Sequence, residues 1–504
     1  MTGRVARQSC TARVHSAFFP SLAGLAGLAG LAGLALLAVL LAACGDNLGP
    51  CSGHGGPPPP ASCAGGTCTD LHVVAHEDDD LLFMNPDIAS ELAGSDRVVV
   101  VYVTAGELAD PTHDAYWIDR ERGMLAAYAS MLQPAPIAYR DGISDVWTAS
   151  TDELAGLTFT TYRAGALALV FLRLGDYQTQ CLWEDANGCS MVDPHAAAPP
   201  YLAATKPCAA CAPPIAAQQV SREQLIDVLA QLIEREGATS VATLDSTNVY
   251  FDALGPAGDG YHEYWDHYFT ALFATAAVAR SHVRDLRAYR GYTIAREPAN
   301  LDDDDACAKL DTFAHYAIYD TSIVRTDRRA RFAECPSCYF RDAYGVTAPD
   351  SWEHRQYVTS SVTPPAHFVL RATAGCLTDA LEIADCANAA VFTATSGELS
   401  ASAGCLEVAA TDGHIDTPAP DCNGSPCTPV PAIYPPAPLQ WTTCGAPTEA
   451  SSFVPLDDGQ IRTANGRCLT AGATVTSDDC RPLSANGHVT DHPDASQMWT
   501  IEAR

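Results

Sequence analysis

The sequence predicts two architectures in one chain. The first is an α/β body built on a mainly parallel sheet with helices on both faces; the second is an all-β domain with three-fold repetition. Three observations predict them. Between residues 69 and 345, short apolar β-branched runs alternate with segments whose apolar residues recur at helical spacing, the pattern of successive βα units. The first run, Leu71-His72-Val73-Val74, breaks off into His76-Glu77-Asp78-Asp79-Asp80. That puts an imidazole and several carboxylates just past a buried strand's carboxyl end, where open α/β sheets gather their ligands. From residue 366 onward the texture turns to short β-type runs rich in Gly, Thr, Ser and Cys, with no long helix.

The elements follow in order. The opening run reads as a strand covered on both faces, because such strands are near-continuously hydrophobic. Asn85 and Pro86 predict an N-cap and a first helical residue, with Gly94 as the stop. Residues 97–104 form a second buried run, and 119–132 carry Met124, Leu125, Tyr128, Met131 and Leu132 at helical spacing. Residues 166–174 read as a strand. Ser221-Arg222-Glu223-Gln224 is a capping box for a helix with Leu225, Ile226, Leu229, Leu232 and Ile233 on one face, and Gly237 ends it. A strand at 240–244 and helices near 265–280 and 304–319 complete the body. The acidic run Asp302 to Asp305 reads as charge at the last helix's N-terminus, favoured by its dipole. Beyond it, Gly375-Cys376-Leu377, Gly404-Cys405-Leu406 and Arg467-Cys468-Leu469 repeat. Each is followed by a later cysteine (Cys386, Cys422, Cys480) and an aromatic residue (Phe392, Trp441, Trp499), which suggests a three-fold barrel.

Composition narrows the function classes. With 47% hydrophobic and 18% charged residues in 504, the chain can bury real cores and is no disordered acidic tail. A net charge of −31, with Lys206 and Lys309 the only lysines, argues against binding nucleic acid, which needs cations to neutralise phosphates. Residues 1–43 read as an export signal: Arg4, Arg7 and Arg13, then an apolar stretch from Leu22, then the small residues of Leu41-Ala42-Ala43-Cys44. That ending resembles the bacterial lipobox, which implies cleavage before Cys44, lipidation of that cysteine and attachment to the membrane through the lipid. The same stretch is long enough to cross a bilayer core of about 30 Å as a retained anchor. Either way the bulk of the chain is expected outside the cytoplasm, as an envelope or extracellular protein. Residues 44–68 are a Pro/Gly/Cys-rich linker and 346–365 a second one, leaving 69–345 and 366–504 as the two domains. Twenty cysteines suit an oxidising compartment. Cys208-Ala-Ala-Cys211 and Cys335-Pro-Ser-Cys338 lie far further apart than the roughly 15–20 residues a zinc ribbon uses, so disulfides are expected there.

Histidine and aspartate together suit a zinc ion with an open position. Adjacent carboxylates repel one another unless solvated or neutralised by a cation. A solvated acidic loop, or a calcium loop, would share the same letters. A second element is needed, and Tyr264-Trp265-Asp266-His267 supplies one: it opens the helix after the strand at 240–244, so His267 could reach over the sheet's carboxyl edge as a third ligand.

Read together, these segments resemble the PIG-L/LmbE-type N-acetylglucosaminyl deacetylase family. The match runs through His76-Glu77-Asp78-Asp79, Leu82-Phe83-Met84-Asn85-Pro86-Asp87 and Val103-Thr104-Ala105-Gly106-Glu107. It continues through Tyr116-Trp117 with Arg120-Glu121, Phe171-Leu172-Arg173-Leu174 and Asp266-His267, in the family's order. The resemblance implies a Rossmann-like fold and zinc-dependent hydrolysis of the N-acetyl amide of amino sugars. It implies His76, Asp79 and His267 as zinc ligands and Asp78 as general base. Arg120 would orient substrate, or else pair with Glu121 on an exposed helix face. There are departures: Glu77 stands for a proline, Asp80 for a glutamate, and Tyr264 for a histidine that stabilises the oxyanion. Tyr264 or His262 could replace that donor, whose loss costs about 100- to 1,000-fold in rate.

The C-terminal region resembles a ricin B-type β-trefoil, best in Gly459-Gln460-Ile461, Cys468-Leu469, Cys480 and Gln497-Met498-Trp499. That implies sugar binding, although Gln440-Trp441 lacks the usual spacing. Thr378, Glu407 and Thr470 stand where a sugar-binding acid is common. The tryptophans and leucines serve equally well as core. The expectation is therefore an exported zinc amidohydrolase that deacetylates an N-acetylated sugar or glycan, with a trefoil raising local substrate concentration by tethering. The rival is a surface lipoprotein that binds carbohydrate through a degenerate, non-catalytic domain. A zinc hydrolase of another amide is a third reading.

Overall fold

The computed structural model describes residues 68–504 except 95, 108–114, 185–200, 212, 247–263, 297, 338, 341–351, 396, 410–435, 446–447, 449, 465, 473 and 481–494. The expected leader, Cys44 and the first linker up to residue 67 lie outside the described residues. Among the described residues no helix is long and apolar enough to cross a membrane.

The main sheet has eight strands: β1 (Thr69–Val74), β2 (Arg97–Thr104), β3 (Thr148–Leu154), β4 (Leu157–Ala164), β5 (Leu167–Leu174), β6 (Ser240–Leu244), β7 (Asp285–Tyr289) and β8 (Val358–Ser360). Their order is β8-β7-β6-β1-β2-β5-β4-β3. The five strands from β7 to β5 are parallel, while β8 at one edge and β4 and β3 at the other are antiparallel. The sheet is thus mixed, with a parallel centre. The β3–β4 hairpin is absent from the sequence reading. Its connection is Ala155 (φ 46°) and Gly156 (φ 78°), a two-residue turn of left-handed residues that matches the strands' twist. β3 is polar and half exposed, ordered by pairing along its length with β4, so it carries no apolar alternation to find.

Alternation within the strands divides the body into two cores. Val98, Val100 and Tyr102 of β2 pack with α1 (Asp87–Ala93), α2 (Tyr116–Leu132) and α6 (Asp303–Ala317). Val99, Val101 and Val103 pack on the other face with α4 (Arg222–Glu236) and α5 (Trp265–Ala279). Helices therefore cover both faces, as expected. Ser221 caps α4 by accepting the Gln224 amide at 3.2 Å, and Gly237 ends it at φ 65°. Asp302 caps α6 through the amides of Asp304 and Asp305. Two boundaries move: Pro86 is the N-cap of α1 rather than its first residue, and α2 begins at Tyr116, before the apolar periodicity starts. A short α3 (Gln178–Glu184) follows β5.

From β1 the chain steps to β2 on one side, whereas β6 returns to β1's other side. The strand order reverses there, so a crevice opens at the carboxyl ends of β1 and β6.

The C-terminal residues form curled antiparallel sheets of four and eight strands. Leu377, Leu406 and Leu469, one from each repeat, share a core with Phe368, Phe392 and Trp499. Trp499 donates its indole N–H to Leu469 O at 2.9 Å, so this repeat aromatic is core. Disulfides join Cys376 to Cys386 and Cys468 to Cys480. The middle repeat pairs Cys405 with Cys444; Cys422, the later cysteine in its sequence pattern, lies outside the described residues. Its strand Gly404–Val408 runs antiparallel to Ala437–Thr442, which carries the chain to Cys444. Cys208 bonds Cys211, and Cys335 is also disulfide-bonded, which removes the zinc-ribbon alternative. These bonds suit an oxidising, extracellular setting.

Candidate metal centre

Past β1 the chain turns sharply. Thr104, at the end of β2, donates both its amide and its hydroxyl to Ala75 O at 2.9 Å, fixing where the strand stops. Asp78 then adopts φ 115°, a conformation L-residues rarely hold and one that is often found at functional sites. Asp80–Met84 forms one wide turn, closed by the Asn85 amide on Asp80 O at 3.1 Å.

The turn brings together three of the expected residues. His76 Nδ1 lies 3.2 Å from His267 Nε2 and 3.6 Å from Asp79 Oδ2. His267 Nε2 lies 2.9 Å from Asp79 Oδ1. All three ligand atoms fall within 4.8 Å of one another, and His267 and Asp79 are buried. A tetrahedral zinc ion with bonds of roughly 2.0–2.2 Å spaces neighbouring ligand atoms about 3.3 Å apart, so the donor set fits that ion.

Charge in the cluster is balanced by protons. Burial works against Asp79's ionisation, yet His267 and His76 outweigh it and hold the carboxyl far below its usual range. Burial disfavours the charged form of His76 too, but Asp266 and Asp79 raise it well above an ordinary imidazole. A dication would displace that proton, since ligand imidazoles bind neutral. Asp266 Oδ2 lies 3.5 Å from His76 Nε2, on the side of the ring opposite His267. It also accepts the Tyr177 amide at 2.7 Å, and its other oxygen accepts the Thr179 hydroxyl. His76, Asp176 and Asp266 are a second group close enough to hold an ion. The Asp266 carboxylate on the far nitrogen is the arrangement that fixes a ligand imidazole's tautomer.

Asp78 accepts a 2.9 Å hydrogen bond from Arg120 Nη2. Burial lifts its carboxyl to about 7 against the pull of Arg120, with Asp79 and Asp320 adding to the rise. Arg120 is 5% exposed. It donates to Gly106 O at 3.1 Å, to Tyr316 Oη at 2.7 Å and to Glu77 O. Tyr316 in turn donates to Asp320 at 2.6 Å. The expected alternative of an exposed Arg120–Glu121 pair is not found: Glu121 instead makes a two-pronged pair with Arg173. Gly106 (φ 60°) permits this packing, because a Cβ there would fall 2.1 Å from Arg120 Nη1.

The three departures have separate fates. Asp80 accepts the hydroxyls of Tyr102 at 2.8 Å and Tyr128 at 2.5 Å, away from the cluster. Glu77 is fully buried with no hydrogen bond on either oxygen, and Arg120 Nε lies 3.8 Å from it. Burial raises its carboxyl well above the usual range, against the pull of Arg120. Tyr264 is 40% exposed, its ring 6.3 Å from that of His76 and 5.7 Å from that of His267. His262 lies outside the described residues. Tyr292 was not anticipated: it stacks on His267 at 5.4 Å and 15°. Its only sequence signal is its place just beyond a strand end.

Asp80 gives a stability prediction for the metal-free protein. Burial lifts its carboxyl to about 6, above the unfolded 3.8, although Tyr128 and Tyr102 hold it down. The native state therefore keeps the proton more tightly, and the associated stability is present below pH 3.8 and lost as pH rises through 6. Asp80→Asn should flatten the wild-type loss between those values by about 2–3 kcal/mol, read by denaturant unfolding across pH.

No protein-family model matches the chain, and no curated protein does. Solved structures align with about half of its length. The A40926 pseudoaglycone deacetylase Dbv21 is 14% identical, with 55% of this chain and 93% of that one covered and a TM-score of 0.29. The N,N'-diacetylchitobiose deacetylase of Pyrococcus horikoshii is 13% identical, with 55% and 80% covered and a TM-score of 0.29. The 4-carboxy-2-hydroxymuconate hydratase GalB of Pseudomonas putida is 12% identical, with 56% and 91% covered and a TM-score of 0.27. Deacetylases and a hydratase stand side by side here, so the reaction has to be read from the residues.

Proposed function

We propose that the protein is a zinc-dependent N-deacetylase of the PIG-L/LmbE type, acting on the acetamide of an amino sugar or glycan outside the cytoplasm. The observation that carries this is the meeting of His76, Asp79 and His267 at one point with Asp78 beside them. His76, Asp79 and His267 would hold the ion. Zinc, when bound, supplies Lewis acidity that polarises a carbonyl and acidifies a nearby water.

The rest falls to side chains of the chain. Asp78 takes a proton from the attacking water as its oxygen bonds to the acetyl carbon. It then gives that proton to the amide nitrogen as the C–N bond breaks, releasing acetate and a free amine. Arg120, buried and engaged with protein groups, keeps Asp78 aimed rather than touching substrate. Tyr264, the exposed aromatic at the cluster's rim, is the candidate to bind the acetyl oxygen, with His262 as its alternative. Tyr264→Phe should lower kcat about 100- to 1,000-fold with KM little changed. An unchanged kcat would pass that role to His262.

Export, lipid attachment at Cys44 and a sugar-binding trefoil at 366–504 belong to the same proposal. The test is acetate release from N-acetylglucosamine oligomers by the zinc-loaded full chain. Release supports the enzyme; binding of those oligomers without release supports the non-catalytic carbohydrate-binding rival.

A further inference from the structure

The C-terminal domain meets the α/β body through buried contacts. Arg462, on the strand Ile461–Thr463, places Nη1 2.8 Å from Asp245 Oδ1, and both residues are buried. Arg462 also reaches Gln460 Oε1 at 3.3 Å, and Asp458 lies 3.8 Å away. Asp245 is the first residue beyond β6, on the sheet's carboxyl edge, where its amide donates to Tyr289 O at 2.7 Å. The turn after that strand then meets α5. At Gly466 (φ 82°) a Cβ would fall 2.3 Å from Leu272 Cδ2, so a larger residue there would press on the helix. Val454 packs against the core beneath α4 and α5. Val362 donates to Pro455 O, and Asp457 to Ser360 O, each at 2.9 Å.

One segment of the β domain thus holds both the end of β6 and α5, the helix that carries His267 in its first turn. We infer that the C-terminal domain is a fixed brace for the ligand-bearing helix, with Arg462 a positioning residue acting through Asp245. The consequence for metal rests on the reading of His267 as a ligand; the brace itself does not. A module that only tethers substrate needs no buried ion pair with the body. Here removing Arg462 takes a cationic partner from a buried carboxylate, which loosens whatever that charge was holding.

Hydrogen exchange of the full chain, metal-free and with zinc, tests this. In Arg462→Met the amides of α5 should exchange at least tenfold faster while those of α2 do not change. Zinc affinity, by competition with a chromophoric chelator, should fall about 10- to 100-fold, the usual effect of losing an outer support. Arg462→Lys should restore part of both. Gly466→Ala, which presses on Leu272 without touching charge, should also speed exchange in α5. Unchanged α5 exchange in both Arg462→Met and Gly466→Ala, or faster exchange confined to the β domain, overturns the brace. If α5 responds but the wild type releases no acetate, the brace stands and the deacetylase reading falls.

Discussion

Replacing Asp78 by asparagine leaves the protein's zinc content unchanged and lowers kcat by roughly 100- to 10,000-fold, the range a positioned general base contributes. Asparagine keeps the size of the side chain and can still accept from Arg120, which approaches at 2.9 Å. It cannot take a proton. Zinc content should hold because the converging donors are His76, Asp79 and His267, while Asp78 pairs with Arg120. The pH profile carries the same signature. The base must be ionised, so kcat/KM should fall as pH drops through Asp78's pKa, about 7 in the metal-free protein. Zinc's charge would pull that value down, so the acid limb of the loaded enzyme should lie below 7. Turnover by Asp78→Asn close to wild type would remove Asp78 as the base.

Replacing His267 by alanine should abolish zinc binding at concentrations that saturate the wild type. The loss of a direct ligand exceeds the roughly 10- to 100-fold cost of losing an outer partner. His267 is also buried and stacked on Tyr292, so the substitution opens a gap in the site. His267→Gln fills more of that gap and separates the two effects. Zinc titration of both variants, with thermal unfolding in parallel, is the measurement. Both should unfold cooperatively when metal-free, and neither should gain stability from added zinc. Full zinc occupancy in His267→Ala would strike it from the ligand set.

Much of this site was legible in the sequence for a physical reason. A parallel strand covered on both faces must be apolar, so a sudden His-Glu-Asp-Asp-Asp marks the strand's carboxyl end. His267 could be placed because it follows another such strand across one loop and one helix start. What stayed hidden depends on contacts between distant segments. Arg120 read as a substrate-orienting residue, or as a surface arginine beside Glu121; its buried partners come from the turn at Glu77 and Asp78, from Gly106 and from Tyr316. Tyr292 stacks on His267 from the end of β7, and no local pattern announces it. The network in which Arg287 meets Glu91 at 2.8 Å and Asp70 at 2.9 Å, with His72 on Glu91 at 2.7 Å, was invisible too. Asp70 and His72 sit in an opening strand that reads as hydrophobic, and Arg287 sits in β7, a strand with no signal of its own in the sequence. The repeat in the β domain gave its shared leucine core but not the Cys405–Cys444 bond, because disulfide pairing follows strand neighbours rather than order along the chain.

The zinc K-edge X-ray absorption spectrum of the purified full chain, loaded with one equivalent of zinc, tests the central claim most directly. The account predicts nitrogen and oxygen neighbours only, at about 2.0–2.2 Å, with the outer-ring scattering of two imidazoles. Sulfur at about 2.3 Å, or a shell without imidazole, would contradict it.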